Sequence, residues 1–263
     1  MSVTRSPFRS PVRGPTQSPF GAGRLLERTR TFRDRVKNES GSIEDGSLED
    51  LYDPILRKIK DWGLLSDLVF FGSGSAVEIN SGSIPTLFDA SGNENDATQT
   101  DTSKQPALNK NGIGGRWEAS GDESDDVLNV LINPDSTATV IVVGAISGSG
   151  AAIIGQPHIF EDSGSWAIYY GGSVVSGGSH DTNPHDFAAR YDGSGSRLRV
   201  DGTEALSGDP GSGASSDTTL MNDGGSGRPN GREGALWMVF DGVTLTTDQE
   251  NDLRTIARDY YSL

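Results

Sequence analysis

The sequence predicts an all-β protein: a sandwich or barrel of antiparallel sheets with a short C-terminal α-helix, preceded by an extended arm and one or two short helices. Three observations lead there. Hydrophobic residues make up 33% of the 263 and glycine supplies 35, a balance that favours short strands and tight turns over a helical bundle. From Leu64 onward, short apolar runs alternate with clusters of Gly, Ser, Asn and Asp, as sandwich strands do. Near the C-terminus the period changes, and Leu253, Ile256, Ala257, Tyr260 and Tyr261 fall on one helical face.

Residues 1–22 form the arm. Arg5-Ser6-Pro7-Phe8, Arg9-Ser10-Pro11-Val12, Arg13-Gly14-Pro15-Thr16 and Gln17-Ser18-Pro19-Phe20 are four consecutive tetrads with proline third in each. Proline fixes φ and drives the preceding residue toward extended geometry, so helix is excluded. In polyproline geometry the arm would reach roughly 60 Å at about 3.1 Å per residue. Phe8, Val12 and Phe20 then become regularly spaced apolar pegs, with Arg5, Arg9 and Arg13 between them. The same composition also fits a proline-rich tail with no structure of its own.

Residues 23–63 read as short helices and linker. Leu25, Leu26, Phe32 and Val36 lie among charges and suggest a short basic helix over 23–36, followed by the linker-like KNESGSIEDG of residues 37–46. At Asp53-Pro54 a second helix begins, Asp as cap and Pro as first residue, with Ile55, Ile59 and Trp62 on one face and Gly63 to stop it. The body spans 64–263. Its best strand candidates are 68–71, 127–132, 137–146, 151–154, 166–170, 187–191, 197–200 and 235–240. The terminal helix starts at Thr246 or Thr247, with Gln249 or Glu250 completing a capping box.

The formal net charge of −15 is unevenly placed: residues 1–37 hold nine basic residues against Glu27 and Asp34, a surplus of +7, which leaves −22 for the rest. An acidic body repels nucleic acid, so DNA binding by the main domain is not expected. With no cysteine there is no disulfide scaffold, thiolate zinc site or cysteine nucleophile. No apolar run of about 18 residues is present, so membrane insertion is not expected, and no hydrophobic signal region follows the basic start.

The loop Leu87-Phe88-Asp89-Ala90-Ser91-Gly92-Asn93-Glu94-Asn95-Asp96-Ala97 resembles the "D-x-S-G-N-x-N-x-A" loop of laminin-G-like domains in the concanavalin A-like lectin/glucanase superfamily. Ser124-Asp125-Asp126-Val127-Leu128, the Tyr191-Asp192-Gly193 to Asp201-Gly202 hairpin, and the close from Gly234 through the terminal helix resemble further motifs of that family, in its order. The resemblance covers about residues 64–263 and implies a jelly-roll sandwich of two antiparallel sheets, used for carbohydrate or protein recognition. The tetrads resemble N-terminal anchoring arms of tailed-bacteriophage virion proteins.

The glucanase branch of that superfamily carries paired carboxylates as E-x-D-x-E or E-x-D-x-x-E. Here Glu123-Ser124-Asp125 comes nearest but lacks a second Glu, and the adjacent Glu161-Asp162 would point to opposite faces of a strand. His180 and His185 sit in the loop-like SHDTNPHD, and with His158 read as surface histidines. Asp89, Asn93, Asn95 and Asp96 could offer oxygens to Ca²⁺, as some laminin-G-like domains do, or could bond their own turn. For sugar stacking the candidates are Trp166, Tyr169 and Tyr170; alternation puts Trp166, Ile168 and Tyr170 on one face, toward a core, and leaves Tyr169 outward.

The expectation is therefore a non-enzymatic virion protein, multicopy or homo-oligomeric, its body projecting as a decoration or fibre-like lectin toward host-surface carbohydrate. Arg5, Pro7, Phe8, Arg9, Pro11, Val12, Arg13, Pro15, Pro19 and Phe20 would anchor it to a capsid or tail partner. The alternative is a carbohydrate-active enzyme, a glycan hydrolase or depolymerase.

Overall fold

The structure, a computed structural model, describes residues 26–122, 124–148, 150–211, 218–222 and 232–263. The arm and its anchoring residues lie outside the described residues, as does Glu123.

The chain enters through α1 (Glu27–Asn38), which buries Thr29, Phe32 and Val36 on one side. After β1 (Ser42–Ile43), a π-helical turn over Leu48–Tyr52 runs directly into α2 (Asp53–Asp61). Eight strands follow: β2 (Leu68–Ser73), β3 (Ala76–Asn80), β4 (Ser83–Leu87), β5 (Ala97–Thr98), β6 (Ala107–Asn109), β7 (Glu118–Ser120), β8 (Leu128–Val130) and β9 (Thr137–Ala145). Then come β10 (Ala152–Gly155), β11 (His158–Asp162), β12 (Ser165–Tyr169), β13 (Val175–Gly177) and β14 (His185–Asp192). The last are β15 (Ser196–Val200), β16 (Thr203–Gly208), β17 (Thr218–Leu220), β18 (Glu233–Asp241) and α3 (Thr247–Tyr261).

All ladders between these strands are antiparallel, and they form two layers. The first runs β2–β18–β9–β14–β15–β16. The second runs β1–β3–β4–β5–β8–β17–β10–β11–β12–β13. At one edge β6 pairs with β4 and β7, and β7 pairs with β18, joining the layers. This is the expected all-β sandwich.

Alternation along β9 explains why its sequence is an unbroken apolar run. Val140 and Val142 enter the core between the layers, with Phe70, Phe187 and Trp237, while Ile141 and Val143 face the other way. A strand covered on both sides reads as continuously hydrophobic. The second cover is a helical layer. Phe32, Tyr52, Ile55 and Ile59 from the N-terminal helices, with Leu253, Ala257 and Tyr261 from α3, pack on Leu68, Phe71, Met238 and Phe240 of the first sheet. Each such side chain contributes about 1.5–3 kcal/mol on full burial.

Residues 37–46, read as linker, carry β1 and a buried Glu44 whose Oε2 accepts from Ser75 Oγ and Tyr260 Oη, both at 2.9 Å, and from the Trp117 amide at 3.2 Å. Asp53, read as the cap of α2, instead reaches across to α1, where its Oδ1 accepts from the Leu26 amide at 2.6 Å and Thr29 Oγ1 at 3.0 Å. The capping box of α3 is present, with Thr246 and Gln249 bonded reciprocally.

Candidate functional site

The loop between β4 and β5 is a backbone clamp. Asp89 Oδ1 accepts from the amides of Phe71 and Ser91, both at 2.8 Å, and Oδ2 accepts from Ser91 Oγ at 2.6 Å and the Asn95 amide at 3.1 Å. Burial pushes the Asp89 carboxyl above its usual range, against the pull of these bonds. Asp96 accepts both arms of Arg35, at 2.6 and 2.9 Å, and the Asp89 amide at 2.7 Å. Asn93 and Asn95 each aim an amide NH₂ at a β2 carbonyl, Leu68 and Val69, at 2.8 Å. Both carboxylates are thus committed, and a guanidinium lies where a cation would have to approach. The four residues proposed for Ca²⁺ are brought together, but as a set they fit loop closure and not a calcium site.

Beside this loop, α1 and the end of α2 enclose a cleft of about 470 Å³, a volume in the range of small-molecule sites. Leu26, Phe32, Leu65 and Ala90 form its apolar wall, and Glu27, Arg28, Arg35, Lys60, Asp89 and Glu94 its polar one. Arg28 Nη1 donates to the Leu65 carbonyl at 3.4 Å, and its guanidinium lies against Gly92. With φ at +90°, and a hypothetical Cβ only 2.7 Å from Arg28 Nε, that position requires glycine. No motif in the sequence signals this cleft, because its walls come from segments far apart in the chain.

Of the proposed stacking residues, Trp166 and Tyr170 are buried between the layers, and Tyr169 packs on the opposite face, its ring centroid 5.3 Å from that of His158. Tyr169 is therefore the one of the three left partly open to a ligand.

His158 and His185 are buried, in contrast to the surface positions read from sequence. Both ring nitrogens of His185 meet carboxylates: Nδ1 is 2.7 Å from Asp201 Oδ2 and Nε2 is 3.0 Å from Asp181 Oδ1. Burial lowers its pKa, but the two hydrogen bonds outweigh that and raise it overall. Asp201 and the buried Asp186 also receive Arg258 of α3, and Arg254 bonds Asp186. His180 Nε2 lies 3.0 Å from the Ile146 carbonyl. The pair neither converges on a zinc ligand set nor activates a hydroxyl; His185 belongs to a charge network that fastens α3 to the sheet.

Among the carboxylates weighed for hydrolysis, Glu161 is buried and accepts the amides of Gly150 and Gly164, so it holds two turns. Asp122, Asp125 and Asp126, before β8, each bring an oxygen within 4.8 Å of the others. Asp126 is 5% exposed and accepts the Asp122 amide at 2.8 Å. Burial, with the charges of Asp122 and Asp125 adding to it, raises its pKa to about 6. A proton-holding carboxyl beside exposed carboxylates is the division of roles that acid/base chemistry requires.

No protein-family model matches the sequence, and no curated protein matches it. Solved structures do resemble the fold. The chain is similar to the sialidase of Trypanosoma rangeli with a TM-score of 0.52 and 14% identity, over 82% of this chain and 40% of that one. It is similar to the binding domain of Paraclostridial Mosquitocidal Protein 1 with a TM-score of 0.50 and 12% identity, over 75% of this chain and 53% of that one. The chain therefore spans less than half the length of the sialidase. At these identities the likeness is one of fold, and what stands of the superfamily resemblance is its β-sandwich.

The expectation that the chain is not an enzyme is corrected by this finding. A missing E-x-D-x-E pattern excludes one hydrolytic arrangement and not every one, whereas the fold is shared with part of a sialidase.

Proposed function

We propose that the chain is a carbohydrate-active enzyme, a glycan hydrolase or depolymerase built on the sandwich. The observation that carries this reading is the Asp122–Asp125–Asp126 group. Asp126, with its pKa near 6, holds a proton for a leaving glycosidic oxygen, while Asp122 or Asp125, with an oxygen within 4.8 Å, is close enough to serve as nucleophile and too close to activate a water between them. The fold shared with a sialidase supports it. The test is release of reducing ends from a panel of bacterial surface glycans by the full chain. Asp126→Asn is expected to lower the rate by about 10²-fold or more while leaving the fold intact. Release unaffected by that change, or no release across the panel, would overturn the assignment.

A second reading, glycan binding, is favoured by the cleft beside α1, where an apolar wall of Leu26, Phe32 and Leu65 faces Arg28, Lys60 and Glu94. Sugar rings offer this combination an apolar face and a rim of hydroxyls. The surplus of +7 in residues 1–37 supports the further proposal that the arm fastens the protein, in several copies, to a virion partner through residues such as Arg5, Pro7 and Phe8.

A further inference from the structure

His185 opens β14 with a carboxylate at each ring nitrogen, Asp201 Oδ2 at 2.7 Å from Nδ1 and Asp181 Oδ1 at 3.0 Å from Nε2. A neutral imidazole has one N–H and one lone pair, so it can donate to only one of them. The protonated ring donates to both, and the arrangement is complete only in that form.

The surrounding charges make the same demand. Asp186 follows His185 on β14, Asp201 lies in the turn between β15 and β16, and Asp181 lies in the loop before β14. From α3, Arg254 bonds Asp186, and Arg258 reaches both Asp186 and Asp201. Three carboxylates thus meet two guanidiniums, and a charged His185 brings the group to neutrality.

The two partners of the ring are held differently. Asp201 Oδ1 accepts from the Asp186 amide at 3.2 Å and pairs with Arg258, so that carboxylate is fixed whatever the charge on His185. Asp181 is 53% exposed, and it otherwise accepts within its own turn, from the Asn183 amide at 2.8 Å. A ring that loses one proton therefore keeps Nδ1–H on Asp201 and turns the Nε2 lone pair toward Asp181. Two acceptors then face each other, and the exposed carboxylate can move off into water.

Asp181 belongs to loop 178–184, which joins β13 to β14 and lies over the buried Trp166. The ring centroids of His180 and His185 stand 4.5 and 5.3 Å from that of Trp166. The His180 amide donates to the Gly164 carbonyl at 3.0 Å, where the loop crosses the turn before β12.

We propose that His185 and Asp181 form a protonation-dependent latch, which holds loop 178–184 over Trp166 and releases it when the imidazole becomes neutral. Burial lowers the His185 pKa, but the bonds to Asp201 and Asp181 raise it above 6.5 overall. The latch is therefore shut on the acid side and opens as pH rises through that raised value. The Asn183 amide, with His185 after it, holds Asp181 below the usual carboxylate range, so Asp181 stays charged throughout.

The experiment reads amide hydrogen exchange at His180 in the full chain, at about pH 5.5 and about pH 8, corrected for the intrinsic pH dependence of exchange. Protection is expected to fall about tenfold between the two, with a midpoint matching the NMR titration of the His185 ring. Asp181→Asn should erase the fall, because an amide can turn over to serve either form of the ring. His185→Gln should leave His180 as poorly protected in acid as the native chain is at the higher pH. Glu118 also loses a proton in this range, but a fall caused by Glu118 would persist in Asp181→Asn. That persistence, the lack of any fall in the native chain, or a His185 midpoint at or below 6.5 would overturn the latch. If His185→Gln fails to fold, the exposed Asp181→Asn decides.

Discussion

Glu118 shows how one buried carboxyl can set the acid response of the fold. It lies on β7 with no exposure, and accepts the Ile113 amide and Asn109 Nδ2, both at 2.8 Å. Gly112 makes room for it, since a Cβ there would come within 2.0 Å of the carboxyl carbon. Burial first, and the charge of Glu233 after it, raise the pKa from 4.5 to about 7. The folded chain therefore holds this proton more tightly than the unfolded one. The stabilisation is complete below about pH 4.5, declines as pH rises toward 7, and is gone above it, an amplitude of about 3 kcal/mol. Glu118→Gln, which keeps an acceptor for Ile113, should flatten that part of the profile. Denaturant unfolding at pH 5 and pH 8 checks it, and an unchanged difference between the two would refute the assignment.

Among the elements, α1 depends on a residue belonging to another helix. Asp53 occupies the first turn of α2, where its Oδ2 accepts from Arg57 Nε at 2.6 Å, while its Oδ1 holds the start of α1. Asp53→Ala should cost about 1–2 kcal/mol and speed hydrogen exchange at the first amides of α1 more than at those of α2. Equal protection loss in both helices would refute the cross-helix cap. The Asp-Pro signal was legible in the sequence, but the partner was not, because it lies 27 residues away. The apolar strands β9, β12, β14 and β18 were legible from composition. Others were hidden for local reasons: β4 contains Pro85, which argues against a strand, and β16 is written in Glu, Ala and Leu, all good helix formers. The candidate site was legible only in part. Asp125 stood out through the near match Glu123-Ser124-Asp125, but Asp122 did not, and the buried environment that shifts Asp126 comes from tertiary packing.

For the molecule as a whole, the helical layer divides the N-terminal region into two parts with different consequences. Removing residues 1–22 takes away the proposed anchor and leaves α1, the first element of the described body. The shortened chain should unfold at the same temperature, remain monodisperse, and no longer incorporate into virions; undiminished incorporation would defeat the anchoring proposal. Removing residues 1–63 is expected to behave otherwise. It uncovers Leu68, Phe71, Met238 and Phe240, an apolar patch of the kind that drives association, and light scattering should detect aggregation. A soluble, native-like product would show that α3 alone suffices as cover.

The pairing of β2 with β18 sets the order of events during synthesis. Phe71 meets Met238 across that ladder, and β18 is also the partner of β9, so the middle of the first sheet waits until β18, about 160 residues after β2, has left the ribosome. Closing a contact over so long a stretch of chain is slow, and until then the nascent protein carries an oily strand β9 with only its β14 edge paired. Its yield in a cell should accordingly respond to chaperone supply more than its finished stability would suggest.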